Sequence, residues 1–309
     1  MSRFLVTGGC GFIGSHLADA LVARGHQIRI LDNLSTGKRE QAPHRAELVV
    51  GDIRDKAVVE SCAAGMDGIF HLAAIASVEE SRRDWLGCHA VNLTGCINIF
   101  NAARRERGTP VRVVYASTAA VYGDSAAVPL TETDLPRPIN AYGADKLGCE
   151  LHGRVAALLH GVPTLGLRLF NVYGPRQDPA SPYSGVISIF ADRLRHNAPI
   201  DMHGDGRQVR DFVAVADVVQ FFSAAMDASA VSGEVYNVCT GYGTTIHELA
   251  QIIGEHFGHV PQIRSLPPRP GDIRTSIGDP TRAARVLGCR AKLSVRQGLA
   301  MMFDARLKV

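Results

Sequence analysis

Short apolar runs alternate with amphipathic stretches through the first half of the chain. Arg3–Thr7 reads as a buried strand running into glycines. Ser15–Arg24 carries apolar residues at helical spacing and stops at Gly25. Gln27–Leu31 is the next strand, closed by Asp32, and Glu47–Val50 the one after. A helix then runs through Val58 and Val59 and stops near Gly65. Gly68–Leu72 and Val111–Tyr115 are two more strands, and between them lies a long helix, about Trp85 to Arg107. Strands alternating with helices imply parallel pairing and right-handed crossovers. The expected fold class is therefore α/β, a doubly wound parallel sheet of the Rossmann kind.

After Gly174-Pro175 the pattern loosens. Prolines and glycines crowd Asp178–Gly185, Gly204–Gly206 and Leu266–Gly271, as in the loops of a smaller α/β lobe. Helical spacing resumes over Val215–Met226. The expected organisation is a dinucleotide-binding domain over 1–172, with 211–236 returning to it. Residues 173–210 and 237–309 would form a C-terminal substrate lobe.

Composition narrows the picture. The 309 residues suffice for about two lobes. With 46% hydrophobic and 20% charged residues and a net charge of +3, an ordinary soluble protein is expected and a nucleic-acid partner is not. The run Arg104-Arg105-Glu106-Arg107 reads as a solvated helix C-terminus. Only Phe4-Leu5-Val6 precedes the glycines, so no signal peptide is expected, and no stretch approaches the ~20 apolar residues of a membrane helix. Seven scattered cysteines without a Cys-x-x-Cys pair suggest reduced thiols and a cytoplasmic location. The histidines show no zinc spacing, and His247-Glu248 lacks the second histidine of a zincin helix, so no metal is expected.

The glycine loop carries the first chemistry. Gly8-Gly9-Cys10-Gly11-Phe12-Ile13-Gly14 follows the first strand and opens the first helix. Gly8 permits a tight turn, Gly11 admits a pyrophosphate close to the backbone, and Gly14 allows close helix–strand packing. Asp32, 18 residues after Gly14, ends the second strand within reach of an adenosine ribose. A carboxylate there repels a 2′-phosphate, so NAD is expected rather than NADP. Lys38 and Arg39 read as solvated charges of a later loop.

Tyr142 and Lys146 carry the second. Four apart on a helix, they share one face at ~5–6 Å between Cβ atoms. The ammonium favours the phenolate and equips the tyrosine as a base nearer neutral pH. Ser117-Thr118, just beyond the strand Val111–Tyr115, would lie with them at the carboxyl ends of the strands, where open sheets bind ligands.

Taken in order, Gly8–Gly14, Asp32-Asn33-Leu34, Asp52-Ile53, His71-Leu72-Ala73-Ala74, Ser117-Thr118, Val121-Tyr122-Gly123, Tyr142/Lys146 and Arg168-Leu169-Phe170-Asn171 resemble an extended short-chain dehydrogenase/reductase. Gly204-Asp205-Gly206, Arg210-Asp211-Phe212-Val213 and Arg269-Pro270-Gly271-Asp272 resemble that family's C-terminal markers. Within the family the chain is most similar to UDP-galactose (UDP-N-acetylglucosamine) 4-epimerases. The resemblance implies that Phe12 and Ile13 pack at the pyrophosphate beside Gly8, Gly11 and Gly14. Asp32, Asn33, Leu34, Ser35, Thr36 and Gly37 would surround the adenosine ribose, and Asp52 and Ile53 would flank the adenine. Leu72, Ala73, Ala74 and Asn92 would line the nicotinamide half, Lys146 would hold its ribose, and Phe170 would face the ring. Thr118 would orient the sugar 4-hydroxyl for Tyr142. Asn171, Arg210 and Arg269 would hold the diphosphate; two guanidiniums can clamp four phosphate oxygens bidentately. Ser77, Val186, Asp272 and Ser276 join the substrate side. Many 4-epimerases carry a lysine where this chain has Ala76, a departure that removes a cofactor contact and opens space near the sugar.

The family's dehydratases and decarboxylases place acids just after the threonine, where this chain has Ala119-Ala120. That leaves one acid–base pair and a nicotinamide, which is the equipment for 4-epimerisation of a UDP-hexose through a transient 4-keto sugar. UDP-glucuronate 4-epimerase, a 4-keto-sugar reductase releasing NADP, and a catalytically dead NAD sensor stay open as alternatives. The resemblance further implies a homodimer through a four-helix bundle, against which the apolar faces Leu93/Ile97/Phe100 and Leu147/Leu151/Val155 can equally pack on their own sheet. It also puts Ser276 beside the C2 substituent, where a small residue admits an N-acetyl group. Turnover of both the plain and the N-acetylated sugar is expected, unless Ser276 is an ordinary loop residue.

Overall fold

The computed structural model describes residues 1–104, 108–177, 185–228, 232–268 and 272–305. Six strands and six helices make up the first part of the chain. They are β1 (Arg3–Thr7), α1 (Phe12–Ala23), β2 (Gln27–Asp32), β3 (Glu47–Val50), α2 (Lys56–Ala63), β4 (Gly68–His71), α3 (Val78–Arg83), α4 (Trp85–His89), α5 (Gly95–Arg104), β5 (Arg112–Thr118), α6 (Ala141–His160) and β6 (Thr164–Leu169). The central sheet is wholly parallel and has seven strands, in the order Glu234–Val238, β6, β5, β4, β1, β2, β3.

Alternate side chains explain why the sheet is covered on both faces. Phe4, Val6, Ile28, Ile30, Phe70 and Val114 enter one core, together with Leu17 and Leu21 of α1 and Val218 and Phe222 of the helix Val215–Asp227. Leu5, Leu31, Ile69, Val113 and Tyr115 enter the other, beneath Val59 of α2, Ile99 of α5 and Cys149 of α6. Strands buried on both faces read as continuous apolar runs, which is the pattern the sequence shows. A third core lies around Tyr173, Phe190, Leu194, Met202, Leu249, Ile253 and Phe303. It is surrounded by small sheets, including the parallel pair Asn171–Tyr173 with Phe212–Ala214.

Strand order reverses between β1 and β4, which opens a crevice at their carboxyl ends. The glycine loop lies at the end of β1, and Leu72–Ala74 follows the end of β4.

Three expectations need correction. Thr118 is the last residue of β5 rather than a residue beyond it, because its pairing with Leu169 extends the ladder. Helix α1 begins at Phe12, not Ser15, since the glycine loop itself feeds the first turn. The long helix from Trp85 ends its described part at Arg104 and is broken by a π-helical turn, Ala90–Thr94. Wider turns of this kind tend to mark functional places. Here the turn buries Asn92, whose amide accepts from Ile75 N at 2.8 Å and donates to Ile75 O at 3.1 Å. Of the two packings open to Phe100, the structure shows the one on its own sheet: it is 4% exposed and lies 5.4 Å from the Tyr115 ring.

Candidate active site

The glycine loop is shaped by close approach. Gly8 has φ +69°, and a Cβ there would lie 2.7 Å from Ala73 N on the neighbouring strand end. A Cβ on Gly14 would strike Gly8 O at 2.1 Å, so only glycine lets α1 sit this close to β1. No side chain caps α1: its N-cap is Gly11. The helix therefore presents backbone amides at the crevice, a ready anion site. Asp32 is buried, and its two oxygens accept from Cys10 N and Leu34 N, each at 2.9 Å. A carboxylate has lone pairs left beyond these two bonds for ribose hydroxyls. The 33–37 loop folds back on the glycines: Lys38 N donates to Cys10 O, and a Cβ on Gly37 would meet Cys10 and Asp32. Leu34 adopts φ +57° and packs into the core, while Ser35 N is held by Asn33 Oδ1.

Asp52 stands at the rim, bonded by the Arg54 guanidinium and by Asn33; the Arg54 bonds pull its pKa down to about 2. Ile53 is buried beneath Gly95. The Leu72–Ala74 segment is fixed by Thr7 Oγ1, which accepts from Ala73 N and bonds His71 Nδ1 at 2.8 Å. His71 is buried, and burial, with Lys146 nearby, pushes its pKa down to about 3, so the ring is neutral. Ala76 is exposed, and Ser77 N-caps α3 through Glu80 N.

The catalytic candidates meet at the end of β5. Asn140 caps α6 by accepting from Gly143 N at 2.8 Å, which puts Tyr142 in the first turn. Lys146 is 2% exposed and donates to Ala116 O at 3.0 Å. Burial opposes its charge, but the anionic forms of the groups facing it, Tyr142 first, outweigh that and raise its pKa above the usual lysine value. The ammonium is therefore secure. Thr118 Oγ1 accepts from Ala120 N at 3.1 Å, which leaves its O–H proton to donate outward. Ala119 and Ala120 form the following turn and bring no proton-transfer group. Phe170 is buried against Gly278 and Cys239, with its ring 6.4 Å from that of Tyr122.

Across the crevice, Arg210 Nη2 donates to Asp272 Oδ1 at 2.6 Å. Asn171 is exposed at the start of its strand, and Val186 opens the helix Val186–Arg195. Ser276 is not an ordinary loop residue: it is 8% exposed, lies in the short strand Thr275–Ser276 and stands in register with Arg210. Arg269 lies outside the described residues, so only one guanidinium of the expected clamp is placed.

Asp211 and Glu150 are buried acids that carry no role in the motif reading. Asp211 accepts from Thr240 N, Thr240 Oγ1 and Gly241 N, which ties the loop after the strand Glu234–Val238 to the strand bearing Arg210. Glu150 takes three bonds from Ser117 and Arg168. The signal for Glu150 was its spacing, four after Lys146 on the helix stripe that carries Tyr142.

The chain matches the NAD dependent epimerase/dehydratase family over residues 4–239. It is similar to a UDP-glucose 4-epimerase of Thermotoga maritima solved with UDP-glucose: 36% identity, TM-score 0.94, 99% of each chain covered. It is similar also to the Thermus thermophilus UDP-glucose 4-epimerase solved with NAD: 38% identity, TM-score 0.90, 98% of each chain covered. A UDP-N-acetyl-alpha-D-glucosaminuronate decarboxylase of Bacillus cytotoxicus is 34% identical over 96% of this chain and 95% of its own. Among the described residues no helix is long and apolar enough to cross a membrane. The fold, the glycine cradle and these matches agree: the chain is an enzyme of the NAD-dependent epimerase/dehydratase family, an extended short-chain dehydrogenase/reductase whose cofactor is NAD.

Proposed function

We propose that the protein is a UDP-hexose 4-epimerase. The observation that carries this reading is the turn after Thr118, which holds Ala119 and Ala120 beside a Tyr142/Lys146 pair. Dehydratases and decarboxylases of the resembling family carry acids in that turn, whereas 4-epimerisation needs one base and a nicotinamide. When bound, NAD takes up and returns the hydride of C4. Gly8, Gly11, Gly14 and Asp32 would hold it, with Lys146 at the nicotinamide ribose. Tyr142 takes the proton of the 4-hydroxyl and gives it back. Thr118 donates to the same oxygen and aligns it. Lys146 keeps its charge and stabilises the phenolate. Arg210 grips the diphosphate far from C4, so the 4-keto sugar can turn about its link and present its other face.

The same reading covers assembly. Leu151, Val155, Leu158 and Leu159 leave α6 exposed along one side, the last two at 71% and 74%, and Trp85 and Leu86 are exposed on α4. A homodimer through paired helices would cover such a patch. Sedimentation at micromolar concentration tests this, and a monomer refutes it.

The deciding experiment is NMR of UDP-glucose, UDP-N-acetylglucosamine and UDP-glucuronate, each incubated with the purified protein. Inversion at C4 of a neutral hexose is expected. A pentose from the glucuronate, a 6-deoxy product, or no change in any of the three would overturn the proposal.

A further inference from the structure

Tyr142, Lys146 and Glu150 recur every four residues on α6 and form one stripe of the helix. The first two are the proposed chemical groups. Glu150 lies one turn deeper and is buried. Ser117 Oγ donates to Glu150 Oε1 at 2.5 Å. Arg168 grips the same carboxylate with both arms, Nε to Oε1 at 2.9 Å and Nη2 to Oε2 at 2.7 Å. Ser117 and Arg168 are cross-strand partners in the β5–β6 ladder. One carboxylate therefore joins the helix that carries Tyr142 to the two strands beneath it.

The same network reaches Thr118 from its other side. The Arg168 guanidinium lies 4.7 Å from the centroid of the Tyr122 ring, over its face. Tyr122 closes the short turn Ala119–Tyr122 that Thr118 begins. Its hydroxyl donates to Asn237 Oδ1 at 2.7 Å, and Asn237 Nδ2 donates to Leu130 O. Thr118 is thus bracketed: residue 117 is bonded to Glu150, and residue 122 is stacked on the arginine that Glu150 holds. Charge-assisted bidentate bonds fix distance and angle together.

We infer that Glu150 is a positioning residue, which, itself held by Arg168, sets through its bond from Ser117 the placement of Thr118 relative to Tyr142 and Lys146. It touches neither the sugar nor the cofactor. Its effect is on geometry at the moment of proton transfer, where a displacement of about 1 Å can cost two orders of magnitude. The inference rests on Thr118, Tyr142 and Lys146 being the chemical groups.

Ser117→Ala tests it without exposing a charge, because Arg168 still pairs with Glu150. Turnover of whichever UDP-sugar the wild-type protein converts is followed, with bound NAD and melting temperature measured on the same samples. The expected result is a fall in kcat of about tenfold, with KM unchanged within about twofold and NAD content and fold retained. Ser117→Cys fills the same volume with a weak donor and should fall with the alanine variant. Wild-type kcat in Ser117→Ala overturns the inference. So does recovery in Ser117→Cys, which would make volume rather than the bond responsible, and so does a loss that appears in NAD content or KM instead. Tyr142→Phe is assayed alongside. Full turnover there removes the base assignment and the inference with it. Loss there, with Ser117→Ala active, sinks the positioning role alone.

Discussion

The two ends of the crevice are built differently. At the end of β5, Lys146, Glu150, Arg168 and Ser117 are buried, and each side chain makes at least one hydrogen bond in the network beneath Tyr142. At the other end, Arg210 leans on Asp272, two short strands carry Val209 and Ser276, and the surrounding ion pairs Arg274–Asp205 and Arg264–Asp201 are exposed. The first end tolerates no movement, because a displaced buried ion pair leaves a charge without a partner. At the second, the two exposed pairs contribute little to holding it, so it is the more adjustable end. A reaction that takes a hydrogen from one face of C4 and returns it to the other suits this division. In the proposed reaction the chemical groups would stay still while the sugar moves.

Tyr142→Phe strikes the rigid end hardest. It removes one oxygen from a residue in the first turn of α6. The expected result is a loss of kcat of about 10²–10⁴-fold with fold and NAD content intact. Near-normal activity would take Tyr142 out of the mechanism and leave the rigid end without a base.

Much of that end was legible in the sequence. Two-faced burial of the strands gives continuous apolar runs, and the glycine loop with Asp32 has its own spacing. The π-helical turn was not legible, because widening one turn leaves the apolar spacing of Trp85–Arg104 nearly intact; only the burial of Asn92 against Ile75 reveals it. Glu150 escaped for another reason. Its partners Ser117 and Arg168 are 33 and 18 residues away and come together only through the β5–β6 register. Ser276 was named through the resemblance, but its strand was not legible, since a two-residue strand has no period to read; its place beside Arg210 depends on pairing across the fold.

Asp32 probes the cofactor side of the crevice, at the end of β2, with a smaller effect. Its carboxylate accepts from Cys10 N and Leu34 N, so it shapes the glycine loop as well as facing the crevice. Asp32→Ala is expected to weaken NAD binding by about ten- to a hundredfold, the worth of charge-assisted bonds, and to narrow the gap between NAD and NADP. Asp32→Asn, which keeps one acceptor, should fall between the two. Calorimetry with both dinucleotides checks the order. Tighter binding of NADP by the wild-type protein would show that strand β2 has been misread.

The smallest expected effect belongs to the adjustable end and concerns which sugar is accepted. Ser276 is small, buried and in register with Arg210, so it stands near the proposed diphosphate grip rather than in free solvent. Ala76, where many relatives of the resembling kind carry lysine, is exposed and adds no bulk. If the resemblance places these residues rightly, room of this kind would permit an N-acetyl group at C2 without selecting for it, because an open pocket rejects little. Both UDP-glucose and UDP-N-acetylglucosamine should therefore be converted by the wild-type protein. Ser276→Tyr fills the space with a ring. A wall discriminates against a larger substituent by about 1–3 kcal/mol, so the ratio of kcat/KM for the plain over the N-acetylated sugar should rise about tenfold or more. The adjustable end also sets the risk. If the strand Thr275–Ser276 shifts to seat the ring elsewhere, both activities persist, and the flexibility is greater than the two-ended comparison allows. If both fall together, the ring has disturbed Arg210 through their shared register, and Ser276 belongs to the diphosphate grip instead of the sugar pocket. Only a selective loss of the N-acetylated substrate places the C2 substituent beside residue 276.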